Sequence, residues 1–557
     1  MRTFIRNRGF LITLTTIILR ISHAFQNPII PGFNPDPTIQ RVGKDYFLAT
    51  STFEFFPGVP IYHSIDLINW EIIGHALNRP SQLNLRGTAP SGGIFAPTLR
   101  YHEQTRTYYM ITTLFDIISP PDNVTHTPRS FYVTTKNIWD EKSWSDPTYV
   151  DQWGFDPDLF FDTDGRTYLT TTLGSQFVDP DSGYFAIWIS EIDIKTGNAL
   201  SEARLFHVSD LPLNTPRLAE GSHLFKKEGW YYLLTAEAGT EAGHRAMISR
   251  ARSLNGPWEA NPQNPILYNG HKMSNPILAT GHADFVSTPT GDWYAVFLGT
   301  RPQNPANSTG KNQLGRETFM ASMKWVDGWP VINNGEDITF EMPGLYDLER
   351  PKKWRDDFSG KLGDKGYYTP RTPYKKFYSL DERPGWLRIK GNPYTLSDRE
   401  TPATLMRKQV DLGTVWSSEL DFKPTNPRHE AGVTIFLSIH YHNEIAITLH
   451  PETKKRVIAA KTRMGVNASL NTTYAEIPET GTVKLYIKAE PSKYSLGYAT
   501  GNGKPIYIAE VENRWLQAYL PGWQVFTGSF FGVYSTAGLG LPMLVPADFN
   551  YVETELL

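Results

Sequence analysis

Cysteine is absent from the chain. No disulfide can support the fold, so a core of adequate size must do so. Basic clusters are absent too: 54 Lys and Arg stand against 57 Asp and Glu, for a net charge of −3. That balance argues against nucleic acid as a partner and favours a neutral or acidic polymer. Beyond the N-terminus no apolar run is long enough to span a bilayer. Long helical patterns are also nearly absent. In their place stand short runs of Tyr, Trp, Phe, Val, Ile and Thr, separated by Gly, Asp, Asn and Pro, the signature of an all-β protein. The 15 Trp, 28 Tyr and 30 Phe suit strands and sugar-stacking surfaces alike.

The first 24 residues read as a secretory signal peptide. Arg2, Arg6 and Arg8 precede the apolar run Phe10 to Leu19, which Arg20 closes, and Ser22-His23-Ala24 offers small residues at the cleavage site. The expectation is a secreted, extracellular protein without a membrane anchor. Losing the four arginines of the leader takes the net charge from −3 to about −7. Sequons at Asn123, Asn307, Asn467 and Asn471 are compatible with glycosylation on export.

An aromatic strand recurs at nearly even spacing. Tyr46, Tyr108, Tyr168, Tyr231 and Trp293 follow one another at steps of 62, 60, 63 and 62 residues. Four-stranded units at such a period predict propeller blades, here five, between about Phe25 and Pro343. A parallel β-helix would repeat over a shorter period, and a sandwich would not repeat so evenly.

Ten to twelve residues before each aromatic marker lies the head of the preceding strand. The five heads read Asn34-Pro35-Asp36-Pro37, Phe95-Ala96-Pro97-Thr98, Phe155-Asp156-Pro157-Asp158, Ala219-Glu220-Gly221-Ser222 and Gly281-His282-Ala283-Asp284. If each opens the innermost strand of its blade, these residues converge on the propeller axis. Like charges in a narrow funnel raise one another's pKa, as a proton donor for glycoside cleavage requires, while its partner must stay ionised. Asp36, Asp156 and Glu220 are the candidates for acid, base and tuning charge. An Asp before Pro can equally initiate a turn. Asp158 rivals Asp156, and strand alternation puts both on one face. Glu237 and Glu241 rival Glu220 but follow the marker strand. His244 reads as structural.

Several segments resemble glycoside hydrolase family 43. They are Phe33-Asn34-Pro35-Asp36-Pro37, the run from Ala49 to Gly58, Gly93-Ile94-Phe95-Ala96-Pro97, Gly154-Phe155-Asp156, Ala219-Glu220, the run from Leu233 to Glu237, Gly281-His282-Ala283 and the run from Leu314 to Thr318. The likeness is to β-xylosidases and α-L-arabinofuranosidases with a C-terminal β-sandwich, and it covers nearly the whole mature chain. It implies that Asp36 is the general base, that Asp156 orients the sugar and tunes the acid, and that Glu220 is the general acid. It further implies that Arg316 contacts the sugar and that Phe53 and Phe95 wall the pocket. His282 would lie below the pocket, where some relatives hold a structural metal ion or water. No organic cofactor is implied. Phe95 stands where Trp is common, and Gly221-Ser222-His223 stands where many xylosidases have Ala-Pro-His; these departures leave the pentose open.

Past Pro343 the sixty-residue period ends. Leu345 to Trp354 reads as a linker, and the alternating strands that follow suggest a lectin-like β-sandwich. The predicted architecture is an all-β chain: signal peptide 1–24, five-bladed propeller 25–345, sandwich 346–557. The predicted activity is inverting release of terminal pentose from plant cell-wall xylan or arabinoxylan. A non-catalytic sugar-binding propeller and a retaining glycosidase are the alternatives.

Overall fold

The computed structural model describes residues 24–115, 128–174, 185–302, 313–345, 350–360, 362, 365–463, 469–516, 525–538 and 540–557. The expected signal segment, save Ala24, and the sequons Asn123, Asn307 and Asn467 lie outside the described residues. Asn471 is exposed on an outer strand of the second domain.

Five four-stranded antiparallel sheets occupy the N-terminal part of the described chain. Their innermost strands are Thr38–Val42, Gly93–His102, Phe155–Phe161, Glu220–Lys227 and Leu278–Ser287. Each aromatic marker lies on the second strand of its sheet. The first four inner strands touch in turn, the fifth packs against the second and third strands of the fourth sheet, and it returns to the first, where Thr38 Oγ1 donates to Asp284 Oδ2 at 3.0 Å. Two further pairings fasten the ends of the ring. Ala24–Gln26 runs antiparallel to Glu341–Pro343, and Ile30 bridges Thr318.

The inner strands share a local irregularity. In the second to fifth sheets a bulge interrupts pairing near the strand head, between Phe95 and Thr98, Phe155 and Asp158, Glu220 and His223, and Gly281 and Asp284. Within the bulges of the last three sheets one residue is left-handed: Asp156 at φ 49°, Gly221 at φ 56° and His282 at φ 50°. Asp36, just before the first inner strand, matches them at φ 54°. A bulge re-aims side chains, and here it breaks the alternation that would keep Asp156 and Asp158 on one face.

Beyond the propeller lie two packed sheets, one of eight strands and one of six. Trp416 on the first stacks on Phe531 of the second, ring centroids 5.6 Å apart and 9° from parallel. Val483–Glu490 alternates buried and half-exposed residues, as a strand with one solvated face must. One expectation is corrected: the end of the supposed linker is a strand. Lys353–Asp356 pairs with Ala547–Leu556, because Trp354 packs on Tyr367 and under the Arg407 guanidinium.

The two domains share a core. Phe33, Phe53 and Phe55 of the propeller are buried against Tyr368, Met406, Phe436, Phe530 and Tyr534 of the sandwich. Thr369–Pro370 even pairs with Phe55–Phe56 across the boundary.

Candidate active site

The pocket opens where the inner strands begin, and its volume is about 290 Å³. Asp36, Asp156, Glu220, Phe53, Phe95, His282 and Arg316, all expected from sequence, line it together.

The bulges explain how the carboxylates reach it. Counting from the paired residues, Asp36, Ala96, Asp156, Gly221 and His282 hold equivalent positions in the five sheets. Glu220 therefore sits one position earlier than Asp36 and Asp156, level with Phe95 and Phe155. The sequence expectation of one shared repeat position for all three carboxylates is corrected accordingly. Two residues deeper, the equivalent set is Thr38, Thr98, Asp158, His223 and Asp284. Arg100 closes the axis at that level. Its Nε lies 3.0 Å from Asp158, its Nη1 3.0 Å from Asp284 and its Nη2 2.9 Å from His223 Nδ1. Asp158, the rival of Asp156, is thus a structural ion-pair partner and does not line the pocket.

Both oxygens of Asp36 accept hydrogen bonds, Oδ2 from Ser51 Oγ at 2.6 Å and Oδ1 from Arg316 Nη1 at 2.9 Å, the pattern of a carboxylate. His282 Nδ1 lies 3.7 Å from the same Oδ1. Burial holds the His282 imidazole down to about 4, against the pull of Asp36, so the ring is neutral at pH 7. Burial also raises Glu220, to about 8, and the charge of Asp36 adds to it; Glu237 and Glu241 contribute while Arg316 opposes. Asp156 is held well above the usual carboxylate range by burial and then by the charges of Glu220 and Asp36. Among the described residues no group of three or more His, Cys, Asp or Glu side chains is placed to hold a metal ion.

Facing the carboxylates is a wall of six phenylalanines. Phe526, Phe53, Phe95, Phe115, Phe155 and Phe185 follow one another with centroids 5.6, 4.8, 5.1, 5.9 and 5.2 Å apart. Only Phe53 and Phe95 were legible as wall residues. Phe526 comes from the second domain. Its backbone N–H donates to Ser91 Oγ at 3.0 Å, and its carbonyl accepts from Arg316 Nη2 at 3.4 Å. The Arg316 guanidinium lies over the rings of Phe53 and Phe526, at 5.6 and 5.4 Å.

The loop after the fourth marker strand supplies Thr240, Glu241 and His244 to the lining. Thr240 Oγ1 accepts from Arg316 Nη1 at 3.2 Å. His244, read as structural, also lines the pocket. Its ring is held by the Gly239 carbonyl and fills the space of a side chain at Gly281, where a β-carbon would fall 2.3 Å from its Cδ2. Glu237 is fully buried behind this wall, 3.6 Å from His207 Nε2 and 3.3 Å from Thr235 Oγ1.

A propeller whose axis ends in converging carboxylates under an aromatic wall defines a glycosidase-type site. Comparison with known proteins agrees. The family described as Glycosyl hydrolases family 43 matches residues 25–330, and that described as Beta xylosidase C-terminal Concanavalin A-like domain matches residues 355–555. The chain belongs to glycoside hydrolase family 43 and is an O-glycosyl hydrolase. A non-reducing end alpha-L-arabinofuranosidase of Bacteroides ovatus is 37% identical over 96% of this chain and 95% of its own. A beta-xylosidase of Bacillus subtilis is 32% identical over 94% of this chain and 98% of its own. The crystal structure of a xylan beta-1,4-xylosidase from Bacillus halodurans superposes with a TM-score of 0.85 at 32% identity, covering 95% of this chain and all of that one.

Proposed function

We propose that the protein is an exported, exo-acting glycosidase that releases a terminal pentose, β-D-xylose or α-L-arabinofuranose, from xylan or arabinoxylan and their oligosaccharides. The observation that carries this reading is the division of labour among three carboxylates gathered in one small pocket. Glu220 is kept protonated, as a general acid must be, while Asp36 accepts hydrogen bonds at both oxygens, as an ionised base does. The pocket volume, about 290 Å³, lies at the low end for small-molecule sites and suits a single terminal sugar. The relatives named for arabinofuranose and for xylose support the pentose class.

In this reading Asp36 takes a proton from a water, which attacks the anomeric carbon. Glu220 gives its proton to the glycosidic oxygen as the C–O bond breaks on the opposite face, so the configuration inverts. Asp156 holds the sugar, and Asp36, by its charge, helps to keep the acid protonated. Arg316 anchors Asp36 and, with the phenylalanine wall, orients the ring. The leader-like N-terminus supports export.

Purified protein, incubated with aryl β-D-xylosides and α-L-arabinofuranosides, tests the proposal by NMR of the first-formed product. The expected outcome is release of one of these pentoses as the inverted anomer. First release of the retained anomer would point to a covalent intermediate instead, and no release would favour a sugar-binding propeller.

A further inference from the structure

Lys408 ends the sandwich strand Ala403–Lys408 and lies half-buried between the domains. Its ammonium lies 5.0 Å from the centre of the Tyr368 ring and 5.5 Å from that of Phe33. No carboxylate among the described residues pairs with it. Its Nζ donates instead to Asn34 Oδ1, at 2.7 Å. Drawing an amine out of water without a counter-ion is costly. Burial alone pulls it down to about 7.

Its acceptor stands two residues before Asp36. Asn34 is gripped on every polar atom. Its N–H donates to the Arg316 carbonyl at 3.0 Å and its carbonyl accepts from Thr318 Oγ1 at 2.7 Å. Its Nδ2 donates to the Pro31 carbonyl at 3.1 Å, and its Oδ1 also accepts from Tyr62 at 2.6 Å. The propeller supplies all of these except the one from Lys408. The turn so held carries Asp36 at φ 54°, a conformation a non-glycine residue keeps only when its surroundings impose it. The second domain presses closely on the same turn: a β-carbon at Gly32 would fall 2.6 Å from the Gln409 carbonyl.

We propose that Lys408 is a positioning residue for the reaction, fixing through Asn34 the turn that aims the Asp36 carboxylate at the attacking water. This rests on the reading of Asp36 as the general base. The second domain then does more than wall the pocket, since through Asn34 it helps to set the geometry of a catalytic group on the propeller.

The test compares full-length Lys408→Met and Lys408→Gln with the parent and with Asp36→Asn, on an aryl glycoside and on a natural oligosaccharide. Met keeps the length and loses the donor; Gln keeps a donor without the charge. For Lys408→Met a fall in kcat of about tenfold or more is expected on both substrates, with KM within about twofold, because water activation precedes no binding contact. Lys408→Gln should regain part of that loss. Either variant at parental kcat would overturn the proposal, as would a loss confined to KM or to thermal stability. If only one variant folds, its kcat against the parent decides. Should Asp36→Asn retain activity, the assignment of the base fails first; if it is inactive while both Lys408 variants match the parent, the positioning role alone fails.

Discussion

The ring of His282 fills the space where a side chain at position 221 would begin. A β-carbon there would lie 2.8 Å from His282 Cε1, and the backbone at Gly221 is left-handed, at φ 56°. This is why the fourth sheet delivers its carboxylate from Glu220, one residue before the position used by Asp36 and Asp156. The displacement leaves Glu220 half-buried in the pocket, and desolvation together with the charge of Asp36 raises its pKa. The consequence is a pH dependence of definite sign. A general acid works only while protonated, so a raised pKa extends activity upward in pH. The kcat/KM of the native enzyme should fall as pH rises through about 8. Glu220→Gln should lack that alkaline limb, as its amide does not titrate. A basic limb left unchanged by the substitution would assign it to another group.

At the scale of elements, the bulged strand head is the device that builds the site, and the loop 239–244 and the segment around Phe526 complete it. Ser91 links two of these. It is left-handed at φ 61°, its N–H donates to Glu54 Oε2 at 3.0 Å, and its Oγ accepts from Phe526 N at 3.0 Å. Ser91→Ala removes one hydrogen bond, worth about 1 kcal/mol, and frees the ring that closes the aromatic wall. The expected result is a several-fold rise in KM with little change in kcat, read from steady-state kinetics. A fall in kcat at constant KM would place Ser91 in the chemistry instead.

The same elements show what the sequence could and could not disclose. The aromatic second strands announce themselves at even steps, so the repeat and the axial position of Asp36, Asp156 and His282 were legible. The bulge was not, because it is a pairing irregularity with no residue signature. Periodicity therefore could not separate Asp156, which faces the pocket, from Asp158, which binds Arg100. Phe526 was hidden by nearly two hundred intervening residues, and Phe115 and Phe185 by their resemblance to ordinary strand-end aromatics. His244 was read as structural because packing explains most histidines beside glycine.

For the whole molecule, the shared core matters more than the domain boundary suggests. Phe33, Phe53 and Phe55, each no more than 1% exposed, pack on the second domain, and Arg301 ties Glu317 to Asp411 across the junction, at 2.7 and 3.2 Å. A propeller expressed alone, residues 25–345, would uncover an apolar patch of the kind that drives aggregation. It should be insoluble or inactive, by size-exclusion chromatography and activity assay, while the full chain is neither. A soluble isolated propeller with full activity would show that the sandwich is dispensable.

The account turns on Glu220 as the proton donor to the leaving group. The direct measurement is the rate of Glu220→Gln on two substrates that differ only in the leaving group, an activated aryl glycoside and a natural oligosaccharide. An activated group departs without help, whereas a sugar hydroxyl needs its proton, and general acid catalysis contributes about 10²–10⁴-fold. The predicted result is a loss of about that size on the oligosaccharide and a far smaller one on the aryl glycoside. Equal losses on both would contradict the assignment.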